Sequence, residues 1–333
     1  MGKRLEEYLL QEEDRANSQF LALDEGIRKS FHHNGWFTRD NVISVFQQLA
    51  ENLKEEQLNT WIAPYRDKIS DNIPHRIGIV MAGNIPLVGF HDFITTIFSG
   101  NIAVCKMASD DSILLPELAK ILVEIEPRLE ERIVFEVNQL KDIHGVLATG
   151  SNNTSRYFEH YFGKYPHVIR KNRNSVAVLN GNESREDLIK VARDIYTYFG
   201  LGCRSVSKLY VPEGYNFNSF FEATTDFSHV LENKKYANNY FYNRTVYLMG
   251  QAELLDNGFV ILKEDKALAS PVGVLFYEYY SDKNHLKVQL NEQSDHIQCV
   301  VAEDEIAFGQ AQAPALWDYA DKVDTFRFLI GLN

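Results

Sequence analysis

The residue best suited to chemistry is Cys203, which lies in the stretch YFGLGCRSVSKLYVP. It directly follows Gly-Leu-Gly, at the point where a helical pattern gives way to a strand pattern. A thiolate is a strong nucleophile that can carry an acyl group, and flanking glycines let backbone and ligand approach closely. A lone cysteine is more often a small buried hydrophobe. That is our prediction for Cys105 and Cys299, which lie inside the apolar runs IAVCKM and IQCVV. Cys203 is therefore the candidate nucleophile.

Three further polar stretches occupy predicted junctions between a strand and a helix. Asn84 lies between a glycine and Ile-Pro in MAGNIPLVG, so its amide is a candidate oxyanion donor. Lys106 ends a strand pattern in CKMASDDS, where its ammonium could meet a ribose or a phosphate. Gly150 and Ser151 precede a helix in ATGSNNTS, an arrangement that binds anions through free backbone N–H groups. The first two of these stretches also have an ordinary explanation: Asn84 as a turn residue, and Lys106 as a solvated lysine with Ser109 as a helix cap.

The elements that must position these residues alternate between short apolar runs and helical patterns from about residue 74 to residue 200. Such alternation predicts a mostly parallel, doubly wound α/β sheet, in which ligands bind outside the carboxyl ends of the strands. The predicted strands are 76–83, 101–107, 132–137, 144–150 and 174–180. The predicted helices are 91–100, 113–127, 153–163 and 184–200.

The chain on either side of this region has a different pattern. Residues 1–70 are predicted to be helical, with Thr38 as a cap before TRDNVISVFQQLAENL. After Cys203 a second α/β segment follows, with the strand-like runs SKLYVP, GFVILKE, PVGVLFYEYY, HIQCVVAE and TFRFLIGL. The tyrosine-rich stretch 234–247 fits neither pattern, and packing or turn residues explain it better than an aromatic ligand surface. The 333 residues are enough for two domains.

Composition excludes several classes of function. The net charge is −12 and no block of Lys and Arg occurs, which argues against nucleic acid as the main partner. No apolar stretch is long enough to span a membrane, and the charged N-terminus lacks the apolar core of a signal peptide, so we expect a cytoplasmic protein. Three scattered cysteines are too few for a disulfide framework or a CxxC metal site, so we expect no metal. The GxGxxG fingerprint of ordinary Rossmann folds does not occur in the sequence.

In their order and spacing, these stretches resemble the aldehyde dehydrogenase superfamily over roughly residues 70–333. The matches are Asn84 to the asparagine of WNFP, Lys106 to the lysine of KP, Thr149-Gly150-Ser151 to TGS, and Cys203 after Gly200-Leu201-Gly202 to the glycine-x-x-cysteine stretch. SPVGVLFY (270–277) matches the stretch around the family's GPV.

The resemblance implies an aldehyde-dehydrogenase-like α/β fold, with a Rossmann-like doubly wound parallel sheet and a second α/β domain. The expected order is an N-terminal helical segment at 1–70, a dinucleotide-binding domain at 71–200 and a catalytic domain with the nucleophilic cysteine at 201–333. It also implies that Cys203 and Asn84 are catalytic. The residues it implies for cofactor binding are Lys106, Ser109, Thr149, Gly150 and Ser151.

Departures from the family pattern indicate which reaction and which cofactor to expect. Hydrolytic members carry a glutamate that activates water, whereas VIRKNRNSVAV puts Arg170 near that position. An arginine cannot act as a base at neutral pH, so a thioester on Cys203 should last until a hydride or a thiol meets it. Arg170 and its arginine-rich neighbours would instead suit a phosphate or CoA, which makes Arg170 a candidate substrate-binding residue. Ser109 stands where NAD-preferring members often have a glutamate, which favours NADP(H) with Lys106 beside the 2′-phosphate. Ala267 replaces the family's ribose-binding glutamate.

Within the superfamily, the whole chain is most similar to the acyl-CoA reductases of the LuxC type. The matching stretches are NGWFTRDNVISVFQQLAENL, GNIPLVGFHDF, GCRSVSKLYVP and AQAPALWDYADKVDTFRFL. This resemblance implies NADPH-dependent reduction of a fatty acyl thioester, either acyl-CoA or an acyl-protein, to the aldehyde. Two alternatives stay open, a reductase of another activated acyl donor such as an acyl phosphate, and a decayed member that only binds ligands. Homo-oligomerisation also stays open, because the chain stops before the oligomerisation extension of many relatives.

Overall fold

The structure is a computed structural model that describes residues 1–11, 20–69 and 73–332. The chain divides into two compact units, Met1–Asn172 together with Ala315–Asn333, and Arg173–Pro314. These units differ from the predicted ranges, because the division falls at residue 172 rather than near 200 and the chain end returns to the first unit. In the second unit, the strand Asn174–Val178 pairs with Val206–Pro212 and Ile297–Val301, which accounts for the earlier division.

The N-terminal part of the first unit is helical, as predicted, in the residues that the structure describes. Its helices are α1 (Gly2–Leu9), α2 (Leu21–His33), α3 (Arg39–Asn52), α4 (Glu55–Ile62) and α5 (Arg66–Ile69). The predicted helical residues 12–19 and 70 lie outside the described residues. Thr38 caps α3, because its hydroxyl oxygen accepts a hydrogen bond from the Asn41 N–H at 3.3 Å. Apolar residues at helical spacing, including Val42 and Phe46, are fully buried and join the core of this unit.

The sheet of the first unit is parallel throughout and has the order β3-β2-β1-β4-β5 in the described residues. Its strands are β1 (Arg76–Val80), β2 (Ile102–Lys106), β3 (Ile133–Phe135), β4 (Gly145–Thr149) and β5 (His167–Arg170). The connecting helices are α6 (Phe90–Phe98), α7 (Leu114–Ile125) and α8 (Asn152–Phe162). Strand order reverses between β1 and β4, and such switch points are where ligands bind in doubly wound sheets. Strand β5 was not among the predicted elements.

The second unit contains its own mixed sheet in the order β11-β6-β7-β10-β9-β8, parallel except for the β8–β9 pair. The strands are β6 (Asn174–Val178), β7 (Val206–Pro212), β8 (Leu255–Asp256), β9 (Ile261–Glu264), β10 (Val274–Tyr280) and β11 (Ile297–Val301). The helices are α9 (Arg185–Tyr196), α10 (Phe217–Thr224), α11 (Lys234–Met249) and α12 (Lys283–Glu292). Short 3₁₀ segments lie at Thr197–Gly200 and Thr225–Glu232 in this unit, and at Ala63–Tyr65, Ser109–Asp111, Pro127–Arg132 and Ala320–Lys322 in the first unit.

Two predictions near the end of the chain need correction or completion. The prediction of a strand for TFRFLIGL is wrong, because Thr325–Ile330 forms a helix, α13. Asp324 caps it by accepting the Arg327 N–H at 2.8 Å, and its buried Phe326 and Leu329 are three residues apart, as on one helix face. The unassigned tyrosine-rich stretch is α11, capped by the Asn233 side chain.

Candidate active site

Cys203 is exposed, whereas Cys105 and Cys299 are buried in β2 and β11. Burial raises the pKa of both buried thiols, which keeps them neutral near pH 7. Position along the chain therefore separates the three cysteines as expected. Cys203 is the thiol that a solute can reach.

The turn that presents Cys203 begins with a sharp end to α9. Tyr198 and Phe199 adopt left-handed backbone conformations, with φ of 56° and 57°, and Gly200 follows with φ of 75°. Non-glycine residues rarely adopt this region, so two in a row force the chain out of the helix. The predicted helix 184–200 accordingly ends at Tyr196, before the cysteine.

Hydrogen bonds then fix the backbone on both sides of the thiol. The Ser205 N–H donates to the Gly202 carbonyl at 3.0 Å, and the Gly202 N–H donates to the Ser205 hydroxyl oxygen at 3.2 Å. The carbonyl of Cys203 itself accepts from the buried hydroxyl of Ser175 on β6 at 2.9 Å. Ser175 also contacts the Cys299 sulfur at 2.9 Å. These hydrogen bonds fix the backbone of Cys203 and its neighbours, and thereby the position of the thiol.

In the first unit, the predicted site residues lie at or just beyond the ends of β1, β2 and β4, which are neighbours in the sheet. Val80, the last residue of β1, pairs with Lys106 on one side and with Ala148 on the other. The carboxyl ends of the three parallel strands therefore meet at one edge. This edge includes the switch point between β1 and β4.

The loop after β1 presents Asn84, which is exposed. Leu87 in this loop has a left-handed φ of 56°, and its N–H donates to the Asp111 carboxylate at 2.8 Å. Asp111 is buried, and burial raises its pKa to about 7. At the other end of the loop, the carbonyl of Gly83 accepts from the Asn34 side chain at 3.5 Å. Both ends of the loop are thus tied to other elements of the unit.

Lys106 and Ser109 lie at and beyond the end of β2. The Lys106 ammonium donates to the Asn138 carbonyl at 2.7 Å. Ser109 begins a 3₁₀ turn and is exposed, and its carbonyl accepts from a ring nitrogen of His33 at 2.6 Å. Ser109 does not cap α7, whose N-cap position is Ile113, so the ordinary explanation of this serine as that helix's cap fails.

The Thr149-Gly150-Ser151 turn joins β4 to α8. Ser151 caps α8 by accepting the Thr154 N–H at 3.2 Å. A side chain on Gly150 would meet a ring carbon of Phe158 at 2.8 Å, so close packing requires the glycine. The Gly150 N–H donates to the Arg170 carbonyl at 3.3 Å. One N–H group that was expected to meet an anion is therefore used inside the sheet.

Arg170 ends β5 and has a buried side chain. Its guanidinium donates to the Asp92 carboxylate at 2.5 Å, to the Thr325 hydroxyl at 2.8 Å and to the Thr149 hydroxyl at 3.5 Å. Asp92 belongs to the first turn of α6 and is also buried. Arg170 therefore links α6, α13 and the turn after β4. These contacts are all to protein groups of its own unit, and they favour a positioning role over direct binding of substrate.

A family model of acyl-CoA reductases (LuxC) matches residues 7–237, which is well over half of the chain. The chain belongs to the LuxC acyl-CoA reductase family. Membership supports an acyl reductase type of activity, that is, an oxidoreductase acting on an aldehyde or acyl group. A search of curated proteins finds no match to this LuxC family member.

Solved aldehyde dehydrogenases are similar to this LuxC family member in fold. The NAD⁺ complex of the Bacillus cereus enzyme matches with a TM-score of 0.56 at 14% identity, covering 78% of this chain and 65% of that one. The Mycobacterium tuberculosis enzyme complexed with NAD⁺ matches with a TM-score of 0.55 at 16% identity, covering 77% and 66%. Aldehyde dehydrogenase 21 from Physcomitrella patens, in complex with the reaction product succinate, matches with a TM-score of 0.56 at 15% identity, covering 92% and 77%.

These likenesses confirm the predicted aldehyde-dehydrogenase-like α/β fold and, at such identities, the fold alone. The LuxC family member spans about two thirds of the length of the first two enzymes. Across residues 1–11, 20–69 and 73–332, no helix is long and apolar enough to cross a membrane. The same residues include no cluster of three or more His, Cys, Asp or Glu side chains that could hold a metal ion.

Sequence reasoning missed the buried side chains that support the site in this LuxC family member. Asp92, Asp111 and Asp194 are each nine-tenths or more buried, as is Ser175. A signal was available for two of them. Asp92 interrupts the apolar pattern FHDFITTIF, and Asp194 follows Val191 by three residues on the apolar face of α9. A charged residue on an apolar helix face predicts a buried partner.

Proposed function

We propose that this LuxC family member reduces a fatty acyl thioester to the aldehyde with NADPH, through an acyl-enzyme on Cys203. Membership of the acyl-CoA reductase family supports the reaction class. The observation that carries the assignment to Cys203 is its exposed thiol on a turn fixed by backbone hydrogen bonds, while the other two cysteines are buried.

In the proposed first half-reaction, the Cys203 thiolate attacks the carbonyl carbon of the acyl donor. A new carbon–sulfur bond forms, and the carbonyl π electrons move onto oxygen. By resemblance to the superfamily, the Asn84 side-chain amide and the Cys203 backbone N–H are the donors to this oxyanion. When the carbonyl re-forms, the bond to the donor sulfur breaks and the donor leaves as a thiolate. The covalent thioester divides a difficult reduction into two easier steps.

The carboxyl edge of the first sheet fits a phosphate-bearing dinucleotide. It offers a switch point, the first turn of α8 behind Ser151, a glycine at Gly150 and the ammonium of Lys106. We propose that Thr149, Gly150 and Ser151 lie beside the phosphates, with Lys106 at the ribose and the 2′-phosphate. Ser109 would add no negative charge there. Bound NADPH supplies the hydride for the second half-reaction.

Hydrolysis is the less favoured fate of the proposed acyl-enzyme. By resemblance, Arg170 lies near the position where hydrolytic relatives have their glutamate, and its guanidinium is engaged with Asp92 in an ion pair. A guanidinium stays protonated at every physiological pH, so it cannot remove a proton from water. The thioester is therefore expected to persist until it is reduced or returned to a thiol.

Observed contacts weaken the argument from the arginine-rich stretch for any phosphate-bearing donor, acyl phosphate and CoA alike. The acyl phosphate alternative relied on the arginines of RKNRN. The guanidinium of Arg170 is directed to Asp92, and that of Arg173 donates to the Ser294 carbonyl at 3.1 Å. Two of the cations that would attract a phosphoryl group are thus occupied by protein groups.

The test is acylation followed by mass spectrometry. Purified protein is incubated with acyl-CoAs of varied length, without cofactor. It is then digested, and the mass of each cysteine-containing peptide is measured. We expect an acyl adduct on Cys203 that is lost in Cys203→Ala and retained in the matched control Cys299→Ala. The adduct should persist in buffer. When NADPH is added, the acyl group should be released as the aldehyde and the adduct should be lost.

Other outcomes would decide against the proposal. Acylation that survives in Cys203→Ala, or that resides on Cys105 or Cys299, would exclude the mechanism. Rapid loss of the adduct as free acid, without NADPH, would point to hydrolysis. Acylation by an acyl phosphate but by none of the acyl-CoAs would favour the alternative donor. Absence of both acylation and NADPH binding would favour a decayed binding protein.

A further inference from the structure

A late segment of the second unit contacts the turn of Cys203. The Arg204 guanidinium donates to the Ala311 carbonyl at 3.2 Å. The Gln312 side-chain amide donates to the Ser205 hydroxyl oxygen at 3.2 Å, and this oxygen also accepts the Gly202 N–H. The two residues that follow Cys203 are therefore both bonded to residues 309–312. This segment lies beyond residue 237, where the family match ends.

Residues 309–312 are in turn held by one carboxylate. Asp194 on α9 is fully buried, and its two oxygens accept the N–H groups of Gly309 at 2.7 Å and Ala311 at 3.0 Å. Gly309 has a left-handed φ of 82°, and a side chain there would meet the Cβ of Lys190 on α9 at 3.1 Å. The segment thus approaches α9 closely through a glycine. A buried carboxylate that accepts two backbone N–H groups is a strong and directional anchor.

We propose that Asp194 is a positioning residue for Cys203, acting through residues 309–312 on Arg204 and Ser205. The inference rests on the proposed role of Cys203 as the acyl acceptor. The turn already has a bond from Ser175 to the Cys203 carbonyl, and the link to Asp194 restrains the side of the turn that leads into β7. Acyl transfer needs the sulfur and the backbone N–H at fixed places relative to one carbonyl group, and small displacements cost rate steeply.

A carboxylate that does not touch the Cys203 turn directly is well suited to restrain it. If it contacted the Cys203 N–H directly, its charge would oppose the thiolate and the developing oxyanion. The Asp194 carboxylate instead accepts hydrogen bonds from two backbone amides of residues 309–312. The groups that connect these residues to the turn are neutral, apart from the Arg204 guanidinium.

The decisive measurement is amide hydrogen exchange on the full-length chain, followed in peptides that cover 198–206 and 307–313. The variants are Asp194→Ala, the milder Asp194→Asn, and Gln312→Leu, which cuts the link to Ser205. Glu186→Gln is the matched control, since Glu186 lies on the same helix and is exposed to solvent. We expect Asp194→Ala to speed exchange in both peptides and Gln312→Leu to speed it mainly in 198–206. The control should leave both peptides unchanged.

A second arm measures rates at Cys203. We expect single-turnover acylation by acyl-CoA to fall about ten-fold in Asp194→Ala and in Gln312→Leu, the size typical of modest misalignment of a reacting group. Alkylation of Cys203 by iodoacetamide needs no oxyanion donor and should change by less than about two-fold, since the thiol stays exposed. Cys105 and Cys299 should stay unlabelled, which shows that the core is intact.

The outcomes separate the two proposals. Faster exchange confined to 307–313 in Asp194→Ala would mean that the carboxylate anchors only its own segment, and the inference would be overturned. Equal acylation rates in wild type and Gln312→Leu would overturn it as well. If the wild type is not acylated by any donor, the proposed function fails, and hydrogen exchange alone then decides whether Asp194 restrains the turn.

Discussion

The turn that presents Asn84 and the turn that presents Cys203 are fixed differently within their own units. The Asn84 loop follows β1, and the buried carboxylate of Asp111 accepts an N–H of that loop directly. Cys203 precedes β7, and its turn is held by the hydroxyls of Ser175 and Ser205, which bond to the Cys203 carbonyl and the Gly202 N–H. Its buried carboxylate, Asp194, acts one step away through residues 309–312.

The difference follows from the charge of the residue that each turn presents. Asn84 is neutral in every state, so a carboxylate beside its loop does not change its ionisation. A cysteine must become a thiolate to act as a nucleophile, and a carboxylate in contact would raise the thiol pKa. The edge of the first sheet is therefore held by buried carboxyl groups, that of Asp111 and that of Asp92 in its pair with Arg170, whereas Ser175 and Ser205 hold the cysteine.

The largest effect is expected from breaking the ionic support of the first sheet with Arg170→Met. This variant leaves Asp92 buried without its cation, which costs about 3–5 kcal/mol of unfolding free energy. Adding Asp92→Asn should restore most of the loss, because no buried charge is then left alone. Arg128→Met is the matched control. Arg128 forms an exposed pair with Glu126, and such pairs contribute about 0–1 kcal/mol. Urea unfolding of the four proteins measures the differences.

Equal losses in Arg170→Met and Arg128→Met would contradict this account of the first sheet. Failure of Asp92→Asn to rescue the Arg170 variant would show that the arginine stabilises the unit mainly through its hydrogen bonds to Thr149 and Thr325.

A smaller, pH-dependent effect should distinguish Asp111. Burial raises its pKa to about 7, so the folded state binds a proton more tightly than the unfolded chain. Stability is then fully present below about pH 4, the ordinary range of aspartate, and falls as pH rises towards about 7. Asp111→Asn removes this loss while its amide oxygen can still accept the Leu87 N–H. Relative to wild type, the variant should gain about 1–3 kcal/mol between pH 4 and pH 8, because a ten-fold difference in proton affinity between the folded and unfolded chains corresponds to about 1.4 kcal/mol.

Urea unfolding at the two pH values gives the comparison. Asp194→Asn should likewise gain unfolding free energy relative to wild type as pH rises, but over a narrower pH range, because burial raises the pKa of Asp194 to about 6. A variant at Asp111 that loses stability at pH 8 would show that the charge on this carboxylate stabilises the loop after all.

The sequence predicted the regular parts of the fold because their signals are local. Short apolar runs marked β1, β2 and β4 to within a few residues, and Asn84, Lys106 and Gly150 lie at or just beyond the ends of these strands, as expected. Local signals do not name a strand's partner. The strand 174–180 was assigned to the first sheet, yet β6 pairs with β7 and β11 in the second. TFRFLIGL was too short for its periodicity to separate strand from helix, although Asp324 offered a cap.

The candidate site divides in the same way. Type and chain position were enough to select Cys203 over Cys105 and Cys299. Asp194 could have been singled out on the apolar face of its helix, but its partners could not, because Asp194 and Gln312 lie over a hundred residues apart and meet only in the folded chain. Arg170 shows the limit most clearly. As part of the arginine-rich stretch RKNRN it suggested a phosphate or CoA, and only the fold shows that its guanidinium pairs with Asp92.

The smallest expected effect tests whether the two regions have separate tasks, and it uses Ser109→Glu. Ser109 is exposed, so stability should change by less than about 0.5 kcal/mol. A carboxylate there would repel the 2′-phosphate of NADPH, so the ratio of kcat/KM for NADPH to that for NADH should fall about ten-fold, or about 1.4 kcal/mol. Ser112→Glu, exposed three residues further along, is the control. Acylation of Cys203 without cofactor should be unchanged in both variants. A similar shift in the control would remove Ser109 from the specificity argument, and a slower acylation would mean that the edge of the first sheet affects the cysteine before any cofactor binds.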